Sequence, residues 1–156
     1  MNKTFARHVE ALHPLLEKLV AANPFRFDQL AAQTLPTRGI YLFTENGRHM
    51  YVGRSNNIRK RLQWHCRPSS TENQASFAFL LAREKCGLLK ASYKPEGSRR
   101  HLMTQTAFSN AFVEQKARLR TMSICAVEEV DSNRQALLEM YASISLETPY
   151  NDFNNH

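Results

Sequence analysis

Three cysteines, Cys66, Cys86 and Cys125, are odd in number and show no CxxC or Cys/His spacing. That leaves out a disulfide framework and a zinc site, and a reduced intracellular chain is the simplest expectation. The start, MNKTFARHVEALHPLLEKL, has no apolar signal core, and no stretch approaches the ~20 apolar residues that a membrane span needs. The expected location is cytoplasmic. Internal repeats, low-complexity tracts and linker-like segments are missing too. At 156 residues, with 42% hydrophobic and 22% charged, the chain fits one domain with a single core.

Positive charge is what the chain has in excess. The net charge is +7 with a pI near 9.6, a bias toward polyanions such as nucleic acid. The charge is blocky. Residues 48–67 hold Arg48, Arg54, Arg59, Lys60, Arg61 and Arg67 and no acid, a net +6. Residues 83–120 hold nine Lys or Arg against Glu84, Glu96 and Glu114, again +6, while 121–156 hold six acids against Arg134. Two basic blocks suit a phosphate-facing surface, although a solvated face explains the second block equally well.

Hydrophobic spacing places a first helix over FARHVEALHPLLEKLVAANP, with Val9, Leu12, Leu16, Leu19 and Val20 as its docking stripe, and a shorter one over FDQLAAQTL. IYLFT and HMYVG read as strands, and Glu45-Asn46-Gly47 between them is a hairpin turn. Ser55 or Asn56 caps the next helix, on which Ile58, Leu62 and Cys66 form an apolar stripe. Further helices are expected over 73–86, with Phe77, Leu80 and Leu81 inward, and over about 101–120 after the loop YKPEGSRR. TMSICAVEEV reads as a third strand, and Asn133 to Leu146 as a last helix before Thr148-Pro149 and the tail PYNDFNNH.

Four groups of residues carry candidate chemistry. Arg61 and His65, four apart, share one side of a helix: a phosphate clamp with a titratable partner, or an exposed pair on a solvated face. Glu139 is the sole charge in ALLEMYASISL, whose apolar residues surround the helical wheel, so the helix should be largely buried and the carboxylate should have a partner. That partner is a cation in a structural salt bridge, or one magnesium-type ion completed by water and phosphate oxygen. Asn151 is a turn residue, or its amide returns to fix a catalytic neighbour or the substrate phosphate. Tyr41 and Tyr51 are ordinary strand aromatics, or neighbours on one face of the hairpin, since they share parity across the turn.

In combination these pieces resemble the GIY-YIG nucleases: Gly39-Ile40-Tyr41, Tyr51-Val52-Gly53, the helix Asn57 to His65 with Arg61, Glu139 in ALLEMY, and Tyr150-Asn151. Five pieces in the family's order make a specific signal. The resemblance covers about residues 38–67 and 121–153. It implies an α+β fold, a small three-stranded antiparallel sheet flanked by helices, here with extra helices: an N-terminal extension over 1–37 and a basic insertion over 68–120 within one domain. It implies a divalent-metal-dependent endonuclease acting on DNA with one Mg2+ or Mn2+ ion. Tyr41 would orient or deprotonate the attacking water with support from Tyr51. Arg61 would neutralise charge on the phosphate, Glu139 would hold the ion, His65 would assist the water or bind phosphate, and Asn151 would brace the site.

Hydrolysis of a phosphodiester needs a nucleophile, charge compensation and help for the leaving oxygen, which a base, an arginine and a metal supply. A tyrosine base has a reference pKa of ~10, which nearby Arg61 and the metal are expected to lower. Arg54, Arg59, Lys60, Arg67, Arg99 and Arg100 are the candidate DNA contacts, with Arg59 and Lys60 turned toward solvent or DNA backbone. Two alternatives stand beside this one. The chain is a non-catalytic nucleic-acid-binding module of the same fold, or its leucine stripe and insertion serve protein docking or a homodimer.

Overall fold

The computed structural model of the chain describes residues 1–88, 97–151 and 153. The chain divides into two compact units, one formed by Met1–Arg61 with the segment from Met122 onward, the other by Leu62–Thr121 with Phe153. Part of the loop expected at YKPEGSRR, residues 93–96, and most of the tail, Asp152 and 154–156, lie outside the described residues. Among the described residues no helix is long and apolar enough to cross a membrane.

The first unit is α+β, with a three-stranded antiparallel sheet in the order β2-β1-β3. Strands β1 (Gly39–Glu45) and β2 (Arg48–Ser55) form a hairpin because Asn46 and Gly47 both take positive φ, 51° and 77°, the conformation a two-residue primed turn requires. Tyr41 pairs with Gly53 and Phe43 with Tyr51, so these four residues share one face, while Ile40, Leu42, Val52 and Arg54 share the other. β3 (Ser123–Glu128) runs antiparallel to β1 on its far side, pairing Ala126 with Tyr41.

The second face of the sheet carries the core. Ile40, Leu42, Val52, Cys125 and Val127 pack with Leu12, Leu16 and Leu19 of α1 (Lys3–Ala21) and with Leu138 and Ala142 of α6 (Ser132–Ser145). Val20, expected in the α1 stripe, is exposed, because the stripe follows 12, 16 and 19 and leaves it off that line. FDQLAAQTL forms a 3-10 helix over Phe27–Ala32, shorter than expected. α6 is not largely buried: Met140 and Ile144 are 44% and 67% exposed, because only its Leu138 and Ala142 side meets the sheet.

α2 (Ile58–Cys66) has Ile58, Leu62 and Cys66 fully buried, as its spacing predicts. Its cap is Asn57, whose Oδ1 accepts from Lys60 N at 3.0 Å, while Ser55 Oγ accepts from Asn57 N at 2.9 Å. The cap thus sits one or two residues later than expected, since Ser55 is held by the turn itself.

In the second unit, α3 (Ser76–Lys85) packs on α5 (Thr106–Leu119), with the Phe79 ring 5.1 Å from Phe108 and 6.3 Å from Phe112. Phe77 and Leu81 are buried as expected, but Phe79 is buried in place of Leu80, which is only half-buried. The expected helix over 101–120 is two helices, α4 (Arg99–Met103) and α5, because Thr104 Oγ1 and the Thr104 and Gln105 amides turn back onto His101 and Leu102 carbonyls.

Candidate functional site

Tyr41 is the centre of a polar cluster in the first unit. It is 1% exposed, yet its phenol is not lost in the core, because its partner across the hairpin is glycine. A Cβ at Gly53 would lie 2.2 Å from the phenol oxygen and 2.3 Å from Cζ. The ring therefore lies over Gly53 and reaches toward β2, an outer strand of the sheet. The second glycine of the motif has a physical reason: any side chain there would occupy the place of the phenol.

Around that phenol stand the other members. The Arg61 guanidinium hydrogen-bonds the Tyr41 side chain, and Tyr51 and Glu139 lie close enough to act on its ionisation. Burial pushes the Tyr41 phenol well above its ordinary value, Tyr51 adds to this, and Arg61 opposes it without winning. Arg61 acts in the expected direction, but the net shift is upward, since desolvation of a phenolate outweighs one guanidinium. Tyr41 is a neutral phenol at ordinary pH.

Glu139 comes from α6, its side chain 18% exposed, and its Oε2 accepts from Arg54 Nε at 2.9 Å. Its pKa is raised by burial in spite of Arg54 and Arg61, so the carboxylate is short of solvation rather than saturated with cations. Of the partners open to Glu139 from sequence, a cation is present, and it is Arg54, which sequence reasoning had placed among the DNA contacts. A hard divalent ion also fits: the donor is a carboxylate oxygen, still reachable, and the Arg54 bond engages Oε2. One carboxylate holds such an ion only together with water and phosphate oxygens. Among the described residues no group of three or more His, Cys, Asp or Glu gathers.

Asn151 braces this edge. Its Oδ1 accepts from Val52 N at 2.8 Å and its Nδ2 donates to Val52 O at 2.7 Å, so the amide pairs with β2 as a neighbouring strand would. Thr148 Oγ1 also donates to Oδ1, at 2.8 Å. The amide thereby fixes the backbone between Tyr51 and Gly53, the bracing role open to it from sequence.

Arg54 and Arg61 also line a polar cavity of about 400 Å3 with Ser55, Asn56, Ser132 and Gln135. Asn56, Ser132 and Gln135 were missed in sequence. Their only signal is position: Asn56 precedes the α2 cap, and Ser132 follows Asp131, which caps α6 by accepting from Arg134 N at 2.8 Å.

The remaining candidates are placed differently. His65 is fully buried in the second unit and has interactions of its own. Arg59 does not face solvent, as expected, but donates from Nη1 to Leu30 O at 2.6 Å and from Nη2 to Gln33 O at 2.5 Å, because the 3-10 helix ends beside it and presents its last carbonyls. Lys60 and Arg100 are exposed, and Arg67 is half-buried with its Nε enclosed. Arg99 donates to Glu72 O at 2.8 Å and lies over the Phe79 ring at 4.5 Å.

No family model, curated protein or solved structure matches the chain.

Proposed function

We propose that this chain is a divalent-metal-dependent endonuclease of the GIY-YIG type that hydrolyses DNA phosphodiester bonds. The observation that carries the reading is the Tyr41 phenol lying over Gly53 toward the outer strand β2 with Arg61 bonded to it and Glu139 nearby. Tyr41, Arg61 and Glu139 are supplied by three separate elements, and a buried phenol with a guanidinium and a desolvated carboxylate is an expensive arrangement for a purely structural purpose.

Arg61, which lines the polar cavity, compensates the charge that grows on the non-bridging oxygens of the phosphate. The neutral Tyr41 phenol, held by Arg61, orients the attacking water rather than storing its proton. Tyr51, half-buried on the same face, supports that orientation. Glu139 would hold one Mg2+ or Mn2+, which when bound supplies charge stabilisation for the leaving oxygen. Arg54, which lines the polar cavity while bonded through Nε to Glu139, faces the phosphate. Asn151 keeps the Tyr51–Gly53 backbone in place. Lys60, Arg67 and Arg100 are the candidate contacts to the DNA backbone; Arg59 is withdrawn from that set and Arg99 is partly engaged within its own unit.

The test is cleavage of plasmid, branched and single-stranded DNA with magnesium or manganese, against chelator. Metal-dependent nicking that disappears in Glu139→Ala is expected. Unchanged cutting by that variant would remove the metal assignment, and salt-sensitive binding without cutting on every form would favour a second reading. In that reading the chain is a non-catalytic nucleic-acid-binding module, which the Arg54–Glu139 pair favours because it already gives Glu139 a cation partner.

A further inference from the structure

The polar cavity beside Arg61 has more than positive charge. Gln135, 2% exposed, donates from Nε2 to Glu129 O at 2.6 Å and to Asn56 Oδ1 at 3.4 Å. Asn56 Oδ1 also accepts from Arg38 Nε at 3.1 Å. These bonds fix the sense of both amides. Since both residues line the cavity, the atoms they have to offer it are an acceptor, Gln135 Oε1, and a donor, Asn56 Nδ2.

A phosphodiester carries acceptors only. It suits Arg54 and Arg61, but it has nothing to give Gln135 Oε1, and a carbonyl oxygen facing it would be repulsive. A nucleobase edge presents a donor beside an acceptor, the complement of an amide oxygen beside an amide N–H. A volume of about 400 Å3 also exceeds what one phosphate fills and lies in the range of small-ligand pockets.

We propose that this cavity is a nucleotide subsite: Arg54 and Arg61 take the phosphate, and the Gln135–Asn56 amide pair takes the base edge of the nucleotide attached to it. The proposal rests on the nuclease reading for its choice of polymer, and it narrows the substrate. A base can enter the cavity only when it is out of the stack, so the DNA presented here has an unpaired or extruded nucleotide at the cut.

The experiment is a titration of the full chain, in chelator and without metal, with inorganic phosphate, deoxyribose 5-phosphate and the four deoxynucleoside monophosphates, read by NMR on the side-chain amides of Gln135 and Asn56. At least one nucleotide should bind about tenfold or more tighter than both base-free ligands and shift both amides. Equal affinity across the series, or shifts that miss those amides, would overturn the proposal. Asn56→Asp keeps the acceptor for Arg38 and replaces the donor by an anionic oxygen; its charge should weaken all the phosphate ligands, and loss of the donor should erase the preference for nucleotide over deoxyribose 5-phosphate. A preference that survives it would also count against the amide pair. Nucleotide preference in a protein that cuts no DNA would leave the subsite standing without the hydrolase, whereas metal-dependent cutting without the preference would remove the subsite alone.

Discussion

In the first unit, Arg54 and Arg61 face a polar cavity and the side chains of Glu139 and Tyr41, whereas in the second several cations are turned onto backbone carbonyls and rings. There Lys116 Nζ donates to Pro68 O at 2.6 Å and Ser70 O at 2.8 Å and lies 4.5 Å from the Phe112 ring centroid. Arg120 Nη1 donates to Cys66 O at 2.7 Å. The two basic blocks carry the same net charge in sequence, but several cations of the second bond backbone carbonyls at and after the end of α2 instead of forming a surface. Charge predicts a polyanion partner only for cations whose donors are not already taken by the protein.

The sharpest break in that comparison is kinetic. Arg61→Ala should lower single-turnover cleavage at saturating DNA by ~10³–10⁵ while leaving affinity nearly intact, as loss of a charge partner in phosphoryl transfer does. Equal losses of binding and rate would make Arg61 an ordinary backbone contact. Gly53→Ala should come next, because its methyl must displace the Tyr41 phenol from a distance of 2.2 Å. A shift of that size is expected to cost ~100-fold in rate and about 1–3 kcal/mol in stability, the latter read by urea unfolding.

Lys116→Met tests the other side. It should leave the rate per folded molecule unchanged and lower stability by about 2 kcal/mol, because two carbonyls lose a shared donor. A variant that stayed as stable as the parent but bound DNA less well would make Lys116 part of the surface after all.

Ionisation gives a smaller effect with a definite sign. Tyr41 and Glu139 both bind their protons more tightly in the folded chain than in the unfolded one. Each therefore contributes stability that is fully present below its unfolded pKa and is lost as pH rises toward its folded one. For Tyr41 that loss begins near pH ~10, and Tyr41→Phe should flatten the alkaline fall measured by urea unfolding across a pH series. For Glu139 the same shift moves the acid limb of cleavage above the ordinary carboxylate pKa, since the carboxylate must be ionised to hold a cation. A limb at the ordinary value would show Glu139 to be better solvated than its burial implies.

Much of the site was legible because it depends on local rules. Asn46-Gly47 fixed the hairpin, and parity then put Tyr41 and Tyr51 on one face. The stripe of Ile58, Leu62 and Cys66 is set by helical spacing alone. What sequence could not supply was long-range pairing. The partner of Glu139 is Arg54, 85 residues away, and neither motif nor periodicity connects them. The net direction of the Tyr41 shift was not legible because the burial that outweighs Arg61 depends on the ring crossing to Gly53 on the neighbouring strand. α6 looked wholly apolar around its wheel, yet one of its sides has no partner in the unit, so Met140 and Ile144 stay exposed.

Arg59 and Lys60 offer the finest division, because they are adjacent on α2 and equal in charge. Arg59 reaches back 29 and 26 residues to the carbonyls of Leu30 and Gln33, which end the 3-10 helix. Lys60 is exposed, one position and ~100° further round the helix. Arg59→Ala should therefore lower stability by about 1–2 kcal/mol, as the two carbonyls lose a charged donor, and leave the salt dependence of DNA binding unchanged. Lys60→Ala should leave stability within about 0.5 kcal/mol and reduce the salt slope by roughly one phosphate contact. The two measurements, urea midpoints and binding across a salt series, should exchange their effects between the variants. If both variants weakened binding alike without touching stability, the Arg59 side chain would leave its carbonyls when DNA arrives, and the line drawn here between structural and surface cations would not hold even within one helix.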